Sequence, residues 1–381
     1  MKTKKCRACG NNFYKNSLLT LNNMPRAAQQ MPDKKNLGAD KGIHLELKQC
    51  ASCGLVQLNS EPVPYYRDVI RATFVSGAMK TFRIGQFKRF VKKYDLAGKK
   101  ILEIGCGRGD YLSIMDKTAA ISYGLENNRD SVDSCRKNGL NVLHGFFNKE
   151  SYRIKEGPFD GFFIMSFLEH LPDLRTVMAG IRNNLKPEAK GLIEVPNFDM
   201  ILQKKLYAEI IIDHLFYFTR DTLRVFLSNN GFDVLECRPV WHDYILSAIV
   251  KKKNPVSMND AALYFEKLKK EINAYINRFR EKGQKVAIWG AGHQAFTVMS
   301  VCGLERKIAY VVDSAPFKQG KYTPATHIPI VAPDILDNNP VNSVIVMAGS
   351  YSSEIAEIIK KKYGSSVECV ILQDYGLEKY C

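Results

Sequence analysis

Short apolar segments alternate with amphipathic stretches through the middle of this chain, and this rhythm constrains the fold more than any other feature. Five of the apolar segments are predicted strands, at residues 101–104, 121–125, 141–144, 161–165 and 191–195. Strands separated by helices pair in parallel, because each crossover helix returns the chain to the same edge of the sheet. The sequence therefore predicts a mainly parallel sheet that is covered on both faces.

Two further predicted strands, 232–239 and 244–250, follow the turn-forming residues Asn229, Asn230 and Gly231. Only a few residues separate these strands, so they must pair as an antiparallel hairpin, since parallel partners need a long crossover. Five parallel strands that end in a hairpin are typical of the class I methyltransferase fold. We therefore predict an α/β fold with a seven-stranded sheet.

A glycine-rich turn follows the first predicted strand, in the segment K-I-L-E-I-G-C-G-R-G-D-Y-L at residues 100–112. Gly105, Gly107 and Gly109 allow the backbone to turn sharply and to approach a ligand without an obstructing Cβ atom. The acid Glu103 and the G-x-G-x-G spacing resemble motif I of S-adenosylmethionine-dependent methyltransferases. The alternatives are a nucleotide-binding Rossmann turn and a phosphate loop, although the Gly-Lys-Ser/Thr ending of the latter is missing.

The resemblance to methyltransferases continues along the chain. Glu126 ends the second predicted strand, where a carboxylate can accept hydrogen bonds from both ribose hydroxyls. The segment P-F-D-G-F-F-I-M-S-F-L-E-H at residues 158–170 adds Ser166 to the predicted cofactor contacts, and L-K-P-E-A-K-G begins at Leu185. We therefore expect an enzyme that uses S-adenosylmethionine.

Two histidines follow predicted strands at the edge of the sheet where this fold binds ligands. His170 follows the fourth strand and His214 follows the fifth. A sulfonium methyl group is already activated, so catalysis consists of aligning the acceptor and, where necessary, removing its proton. Both histidines are candidate bases, and Asp213 could orient or tune a nearby imidazole. For His170 the alternative is that it packs or contacts the cofactor.

Four cysteines form two C-x-x-C pairs, Cys6 with Cys9 and Cys50 with Cys53, and each pair is followed by glycine. Two such turns can complete the tetrahedron of a closed structural zinc site, and we predict one. The alternatives are two disulfides or four ordinary core cysteines. The other six cysteines show no pairing pattern, and the start M-K-T-K-K-C lacks the apolar segment of a signal peptide, so we expect a reduced, cytoplasmic setting.

The length of 381 residues suits two or three domains. We predict a zinc-binding module at 1–64, a methyltransferase domain with a leading helix at 65–250, a linker helix at 251–283 and a Rossmann-like domain at 284–381. The last contains V-A-I-W-G-A-G-H-Q-A and later I-A-Y-V-V-D, which is the dinucleotide pattern. Only about 100 residues remain for it, too few for a complete dinucleotide fold with a substrate domain.

The net charge of +16 is compatible with an anionic partner. A nucleic-acid binder would concentrate this charge in a stripe interleaved with aromatic residues, whereas here the lysines occur throughout. The charge therefore indicates a solvated surface or a specific anionic ligand such as a nucleotide diphosphate. No apolar run approaches the length that crosses a bilayer. We expect no nucleic acid or membrane partner, and a monomer or weak homodimer.

The whole chain resembles the bacterial sugar C-methyltransferases that act on nucleotide-linked deoxysugars. The most specific segments are the paired C-x-x-C, D-H-L-F-Y-F from Asp213, and the V-V-D…K-Q-G-K-Y-x-P…H-I-P-I block. The resemblance implies a zinc module, a methyltransferase domain and a C-terminal Rossmann-like domain. It also implies a nucleotide-linked 4-keto sugar held between the last two domains. A base removes the proton at C3 of this sugar, and the enolate carbon attacks the methyl group.

By this resemblance His214 is the base, and His170 and Asp213 line the sugar pocket. The remaining substrate contacts that we predict are Phe74, Tyr217, Lys318, Gln319 and Tyr322.

The chain departs from the family at two positions where tyrosine is common, namely Ile211 and Phe74. Tyrosine hydroxyls are suitable donors to an enolate oxyanion, and stabilisation of such a charge is a large part of catalysis. Methylation of a sugar or glycan-precursor oxygen or nitrogen, which needs no enolate, is therefore the alternative activity. A non-catalytic scaffold of the same fold is a more distant one.

Overall fold

The structure, a computed structural model, describes residues 3–67 and 76–381. The chain divides into two compact units, Met1–Pro255 and Val256–Cys381. None of the helices in the described ranges is both long enough and apolar enough to cross a membrane. Phe74, one of the predicted substrate contacts, lies outside the described residues.

The strands of the first unit form two sheets. In chain order they are β1 (Leu19–Met24), β2 (Ile43–Gln49), β3 (Val56–Leu58), β4 (Lys100–Ile104), β5 (Ile121–Glu126), β6 (Val142–His144), β7 (Phe159–Met165), β8 (Leu185–Pro196), β9 (Phe216–Tyr217), β10 (Phe232–Val240) and β11 (Ile245–Lys252). The large sheet has the order β10-β11-β8-β7-β4-β5-β6, and the small sheet has the order β1-β2-β3-β9.

The large sheet confirms the predicted class I methyltransferase fold. Strands β4 to β8 pair in parallel, and β11 runs antiparallel to both β8 and β10. All seven predicted strands are present. Strand β8 begins at Leu185, six residues before the predicted residue 191. Its early residues also pair with β7, across a shift in register between Phe159 and Gly161 of β7.

Helices cover both faces of the large sheet. They are α1 (Gly77–Lys93), α2 (Leu112–Met115), α3 (Arg129–Lys137), α4 (Leu174–Asn183), α5 (Phe198–Lys204) and α6 (Arg220–Asn229). Successive side chains of a strand point to opposite faces. On β7, the centroid of the Phe163 ring lies 5.3 Å from that of Phe87 of α1. The centroid of the Phe162 ring lies 5.5 Å from that of Phe232, and these two residues belong to a separate apolar cluster.

The small sheet contains strands from two distant parts of the sequence. Strands β1, β2 and β3 come from the predicted zinc-binding module, and β9 comes from the region that follows His214. The two parts meet where β3 pairs antiparallel with β9, with Val56 opposite Tyr217 and Gln57 opposite Phe216. The N-terminal module is thus hydrogen-bonded to the methyltransferase fold.

The second unit is a separate α/β fold. Its elements are α7 (Asn259–Arg280), β12 (Val286–Trp289), α8 (His293–Cys302), β13 (Val311–Val312), β14 (Ile330–Val331), α9 (Ile335–Asn338), β15 (Ser343–Val346), α10 (Ser352–Tyr363), β16 (Glu368–Gln373) and β17 (Gly376–Lys379). The sheet order is β14-β13-β12-β15-β16-β17, and only β17 is antiparallel to its neighbour. This arrangement is Rossmann-like.

Helix α7, which lies in the region predicted to be a linker, contributes to the core of the second unit. Leu268, Ile272, Ile276 and Phe279 are spaced along one face of the helix, and all four are buried. They belong to the same apolar cluster as Val286 of β12. The helix is therefore a structural part of the second unit.

This packing predicts that Ile272→Ala lowers the free energy of unfolding of the second unit by about 2–5 kcal/mol, the usual cost of emptying a buried site. Of the two tryptophans, Trp289 lies in the second unit, so its fluorescence in a Trp241→Phe background reports on that unit alone. Leu263 on the same helix is 70% exposed, and Leu263→Ala is the control. Equal denaturation midpoints for the two variants would contradict this packing.

Candidate active site

The glycine-rich turn that follows β4 has a backbone conformation that disfavours residues larger than glycine. Gly105 and Gly107 both have positive φ, at 68° and 54°. A Cβ atom on Gly105 would lie 2.5 Å from the Phe167 ring, whereas one on Gly107 would meet no described atom within 4 Å. The turn is closely packed at Gly105 and open at Gly107. Gly109 packs against Leu140 on the far side of the turn.

The carboxylate of Glu126 holds this turn in place. It ends β5, and its Oε2 atom accepts a hydrogen bond from the Gly107 N–H at 2.8 Å, while Oε1 accepts one from the Asn128 N–H at 2.8 Å. Glu103, near the end of β4, is buried behind the turn. The predicted pair of acids therefore lies on adjacent strands next to the glycine turn.

A pocket lies beside Glu126. It is lined by Arg67, Ile104, Gly105, Leu125, Glu126, Asn127, Gly145, Phe146, Phe147, Phe167, Leu171 and Val177. Aromatic and aliphatic walls suit the adenine ring of S-adenosylmethionine, and the acid suits its ribose hydroxyls. The residues present therefore fit the cofactor, with Gly105, Glu126 and the aromatic walls as the groups that would hold it.

Some of the pocket residues were not predicted, and four predicted cofactor contacts, Glu103, Gly107, Gly109 and Ser166, do not line the pocket. Phe146 and Phe147 follow Gly145 just after the end of β6, and this position after a strand was the signal available in the sequence. Ser166 is exposed, does not line the pocket and donates its backbone N–H to the Glu194 carbonyl. A contact between Ser166 and the cofactor therefore stays a prediction.

The two predicted histidines lie together at the same end of the sheet. The rings of His170 and His214 meet edge to face with centroids 4.8 Å apart. His170 Nδ1 is 2.8 Å from the Asp213 carbonyl oxygen. Because a carbonyl can only accept, Nδ1 carries the proton and Nε2 carries the lone pair. His170 is buried, and His214 is half-buried.

Glu169, which was not predicted as a site residue, completes this cluster. Its side chain is 1% exposed, and its Oε1 atom lies 4.0 Å from His170 Nε2. Burial raises the pKa of Glu169 to about 8 and lowers the pKa of His170 to about 4. Burial, together with the neighbouring His170, lowers the pKa of His214 to about 3. Both imidazoles are therefore neutral near pH 7, the form that accepts a proton.

Asp213 orients His170 through its backbone rather than through its carboxylate. The Asp213 side chain is buried, and its Oδ2 atom accepts a hydrogen bond from the Ala28 N–H at 3.1 Å. The Tyr65 hydroxyl also hydrogen-bonds this carboxylate. Residues from the N-terminal part of the chain thus fix the segment that carries His214.

Tyr217 supports the same segment. Its hydroxyl accepts a hydrogen bond from the Ile211 N–H at 3.0 Å and donates one to the Ile211 carbonyl at 3.2 Å. The side chain is 3% exposed. The phenol therefore braces the turn that precedes His214, and a direct contact with substrate stays a prediction.

The four predicted metal ligands converge in the N-terminal module. The Sγ atoms of Cys6, Cys9, Cys50 and Cys53 all lie within 4.8 Å of one another, with Cys6 and Cys53 3.8 Å apart and Cys9 and Cys50 3.4 Å apart. Tetrahedral zinc with Zn–S bonds of about 2.3 Å requires sulfur separations of about 3.8 Å. All ten cysteines are free thiols, so the alternative of two disulfides is wrong. The cluster fits zinc.

In the second unit, two of the predicted substrate contacts surround the acid that ends the Rossmann-like motif. Asp313 Oδ2 accepts hydrogen bonds from the Ala291 N–H at 2.8 Å and from Lys318 Nζ at 2.9 Å. Gln319 Nε2 donates to the Asp313 carbonyl at 3.0 Å, whereas Tyr322 is exposed. Lys318 and Gln319 therefore hold the loop after β13 against the glycine turn.

Comparisons with known proteins agree with this fold. A family model described as "Methyltransferase domain" matches residues 79–237, and one described as "C-methyltransferase C-terminal domain" matches residues 254–372. The glycine turn, the acid on the next strand and the seven-stranded sheet define a class I S-adenosylmethionine-dependent methyltransferase, and this chain is one.

The relatives refine this assignment. C-methyltransferase NovU of Streptomyces niveus is 21% identical over 93% of this chain and 91% of its own length. The ubiquinone biosynthesis O-methyltransferase of Methylococcus capsulatus is 32% identical, over 24% of this chain and 41% of its own length. The PH0226 protein from Pyrococcus horikoshii OT3 covers 50% of this chain and 99% of its own, at 16% identity and a TM-score of 0.40. The chain is therefore similar, over most of its length, to a C-methyltransferase, and its second unit matches the C-methyltransferase C-terminal domain.

The packing of the glycine turn predicts that Gly105→Ala weakens S-adenosylmethionine binding at least about tenfold, because Cβ would clash with Phe167 at a backbone conformation that also disfavours alanine. Isothermal titration calorimetry measures this effect. Gly77 has no positive φ, and a Cβ atom on it would meet no described atom within 4 Å, so Gly77→Ala is the control. Unchanged affinity in Gly105→Ala would contradict the assignment of the pocket.

Proposed function

We propose that this C-methyltransferase acts on a nucleotide-linked 4-keto deoxysugar and that His214 removes the proton at C3. The observation that carries the proposal is the position of the histidine pair next to the cofactor pocket. Phe167 and Leu171 line that pocket, and His170 lies between them in sequence, with its ring against His214. A half-buried, neutral imidazole at this position can accept a proton from a bound substrate.

The chemistry divides between the cofactor and the protein. S-adenosylmethionine, when bound, supplies a methyl group that is already activated by its sulfonium sulfur. His214 takes a proton from the carbon next to the 4-keto group, and His170 and Asp213 form the wall beside it. The match to the C-methyltransferase C-terminal domain supports a carbon acceptor. The net charge of +16 supports an anionic nucleotide on the substrate.

The remaining predictions belong to the same proposal. The four-cysteine cluster holds structural zinc, and Lys318, Gln319 and Tyr322 contact the nucleotide sugar, as does Phe74. Glu103, Gly107, Gly109 and Ser166 complete the cofactor site around Gly105 and Glu126. The enzyme works in the cytoplasm as a monomer or weak homodimer, without nucleic acid or membrane partners, in carbohydrate biosynthesis.

A second candidate function is methylation of an oxygen or nitrogen on a sugar or glycan precursor. It is favoured by Ile211, which offers no side-chain donor to an enolate oxygen at a position where the sugar C-methyltransferases commonly carry tyrosine. The hydroxyl of Tyr217 does not replace this donor, because it is bonded to the Ile211 backbone on both sides. Such methylation needs a base or correct positioning but no stabilisation of an enolate.

We predict that the wild-type enzyme releases the label from a 4-keto sugar nucleotide deuterated at C3 and forms a carbon-methylated product, as followed by NMR. His214→Asn should lower turnover about 100-fold or more, the usual loss when a general base is removed, with S-adenosylmethionine affinity unchanged. His44 is exposed in the N-terminal module, so His44→Asn is the matched control.

Two results would count against this proposal. Full activity in His214→Asn would remove His214 as the base. Retention of the C3 label in an ether or amine product would contradict C-methylation of a sugar and support the second candidate function.

A further inference from the structure

We propose that Glu169 receives and holds the proton that His214 takes from the substrate carbon. This inference rests on the proposed function and adds a residue to it. Glu169 has no role in the sequence-based prediction. It is a positioning and proton-holding group, because its side chain is 1% exposed and so reaches the substrate only through its neighbours.

The geometry places the three titratable groups in one cluster, where a proton can pass between them through a hydrogen-bonded relay such as a single bridging water. A carboxylate oxygen of Glu169 and ring nitrogens of His170 and His214 all lie within 4.8 Å of one another. The Leu215 N–H donates to the Glu169 carbonyl at 2.9 Å. This backbone bond fixes the turn that carries Glu169 against the segment that carries His214, so the short separation is built into the fold.

The carboxylate has an atom available for the proton. Within residues 3–67 and 76–381, the buried Oε2 atom of Glu169 has no hydrogen-bond partner. His170 accepts only at Nε2, because Nδ1 donates to the Asp213 carbonyl, and its pKa of about 4 makes it a weaker base than Glu169, whose pKa is about 8. The described residues also provide no lysine or arginine ion pair to Glu169, so its negative charge is neutralised only by a proton.

The order of the pKa values in the cluster favours proton transfer from His214 to Glu169. The pKa of His214 is lowered to about 3, whereas burial raises the pKa of Glu169 to about 8. The titratable groups that face Glu169 are His170, His214, the Asp213 carboxylate beyond His170, and Tyr244, whose pKa Glu169 helps to raise. A proton that arrives on His214 therefore moves to the stronger base.

The proton balance conserves the charge of the buried site. The C3–H bond breaks, its electron pair stays in the enolate and its proton goes to His214. His214 then passes a proton to the Glu169 carboxylate, which leaves a neutral imidazole and a neutral acid. The negative charge has moved from Glu169 to the substrate, so no extra charge is buried. After the product leaves, Glu169 returns its proton to water.

This role makes proton abstraction depend on pH. Glu169 must be ionised to accept the proton, so the rate of abstraction should rise as the pH rises through about 8. Burial raises the pKa of Glu169 in the folded enzyme above its value in the unfolded chain. The free energy of unfolding of the wild type therefore falls as the pH rises from the unfolded pKa to the folded pKa. Glu169→Gln removes both dependences and stabilises the folded enzyme at alkaline pH.

The test measures loss of C3 deuterium from uridine- and thymidine-diphosphate 4-keto-6-deoxyhexoses, in the full-length enzyme with S-adenosylhomocysteine bound, from about pH 6 to about pH 10. Wild-type exchange should rise about tenfold per pH unit and level off above about pH 8. Glu169→Gln should be at least about tenfold slower at the plateau and independent of pH, with S-adenosylhomocysteine affinity unchanged. Glu188→Gln, at an exposed acid, should match the wild type.

The outcomes separate the inference from the proposed function. Exchange in Glu169→Gln with the wild-type rate and pH profile would overturn the role of Glu169 and leave His214 as the base. Methylation by the wild type without any C3 exchange would overturn both. If Glu169→Gln does not fold, Glu169→Asp decides, because a retained carboxylate should give slower exchange that still rises with pH. Exchange without this rise would contradict the inference.

Discussion

The pairing of β3 with β9 is the interaction on which the candidate active site depends. Cys50 and Cys53 form the second C-x-x-C pair of the cysteine cluster, and three residues later β3 begins at Val56. Strand β3 bonds β9, and the Leu58 N–H donates to the Leu215 carbonyl at 2.9 Å, directly after His214. The Asp213 carboxylate is held from the same side by the Ala28 N–H. The N-terminal module therefore sets the position of His214, while the large sheet sets the position of the cofactor pocket.

Burial controls the chemistry of this site more than direct charge pairing does. Two imidazoles are kept neutral, and one acid is kept protonated below about pH 8, because burial disfavours the charged form of each side chain. A buried charge is tolerated only when a proton or a counter-charge replaces its solvent. In the proposed reaction an enolate forms when a negative charge leaves the site at the same time, and Glu169 can give up such a charge only at a pH where it is ionised, above about pH 8.

The sequence predicts those parts of the fold that have local signals. Alternating apolar segments locate the strands, Gly105 and Glu126 locate the cofactor turn, and the C-x-x-C spacing locates the cysteine cluster. The pairing of Gln57 with Phe216 has no such signal, because the two residues are far apart in sequence and β9 has only two residues. Glu169 was missed because its burial, which changes its acid–base behaviour, exists only in the folded chain. Asp213 lies beside an imidazole, but its backbone carbonyl and not its carboxylate makes the contact.

The central claim, that the cysteine module holds His214 in place, is tested most directly by amide hydrogen–deuterium exchange of residues 211–218 in Cys50→Ser. Cys237→Ser, at a half-buried cysteine outside the cluster, is the control. We predict faster exchange in 211–218 of Cys50→Ser, with exchange of the glycine turn at 105–110 and affinity for S-adenosylhomocysteine close to those of the control. Unchanged exchange in 211–218 would contradict it, because the segment that carries His214 would then hold its position without the cluster.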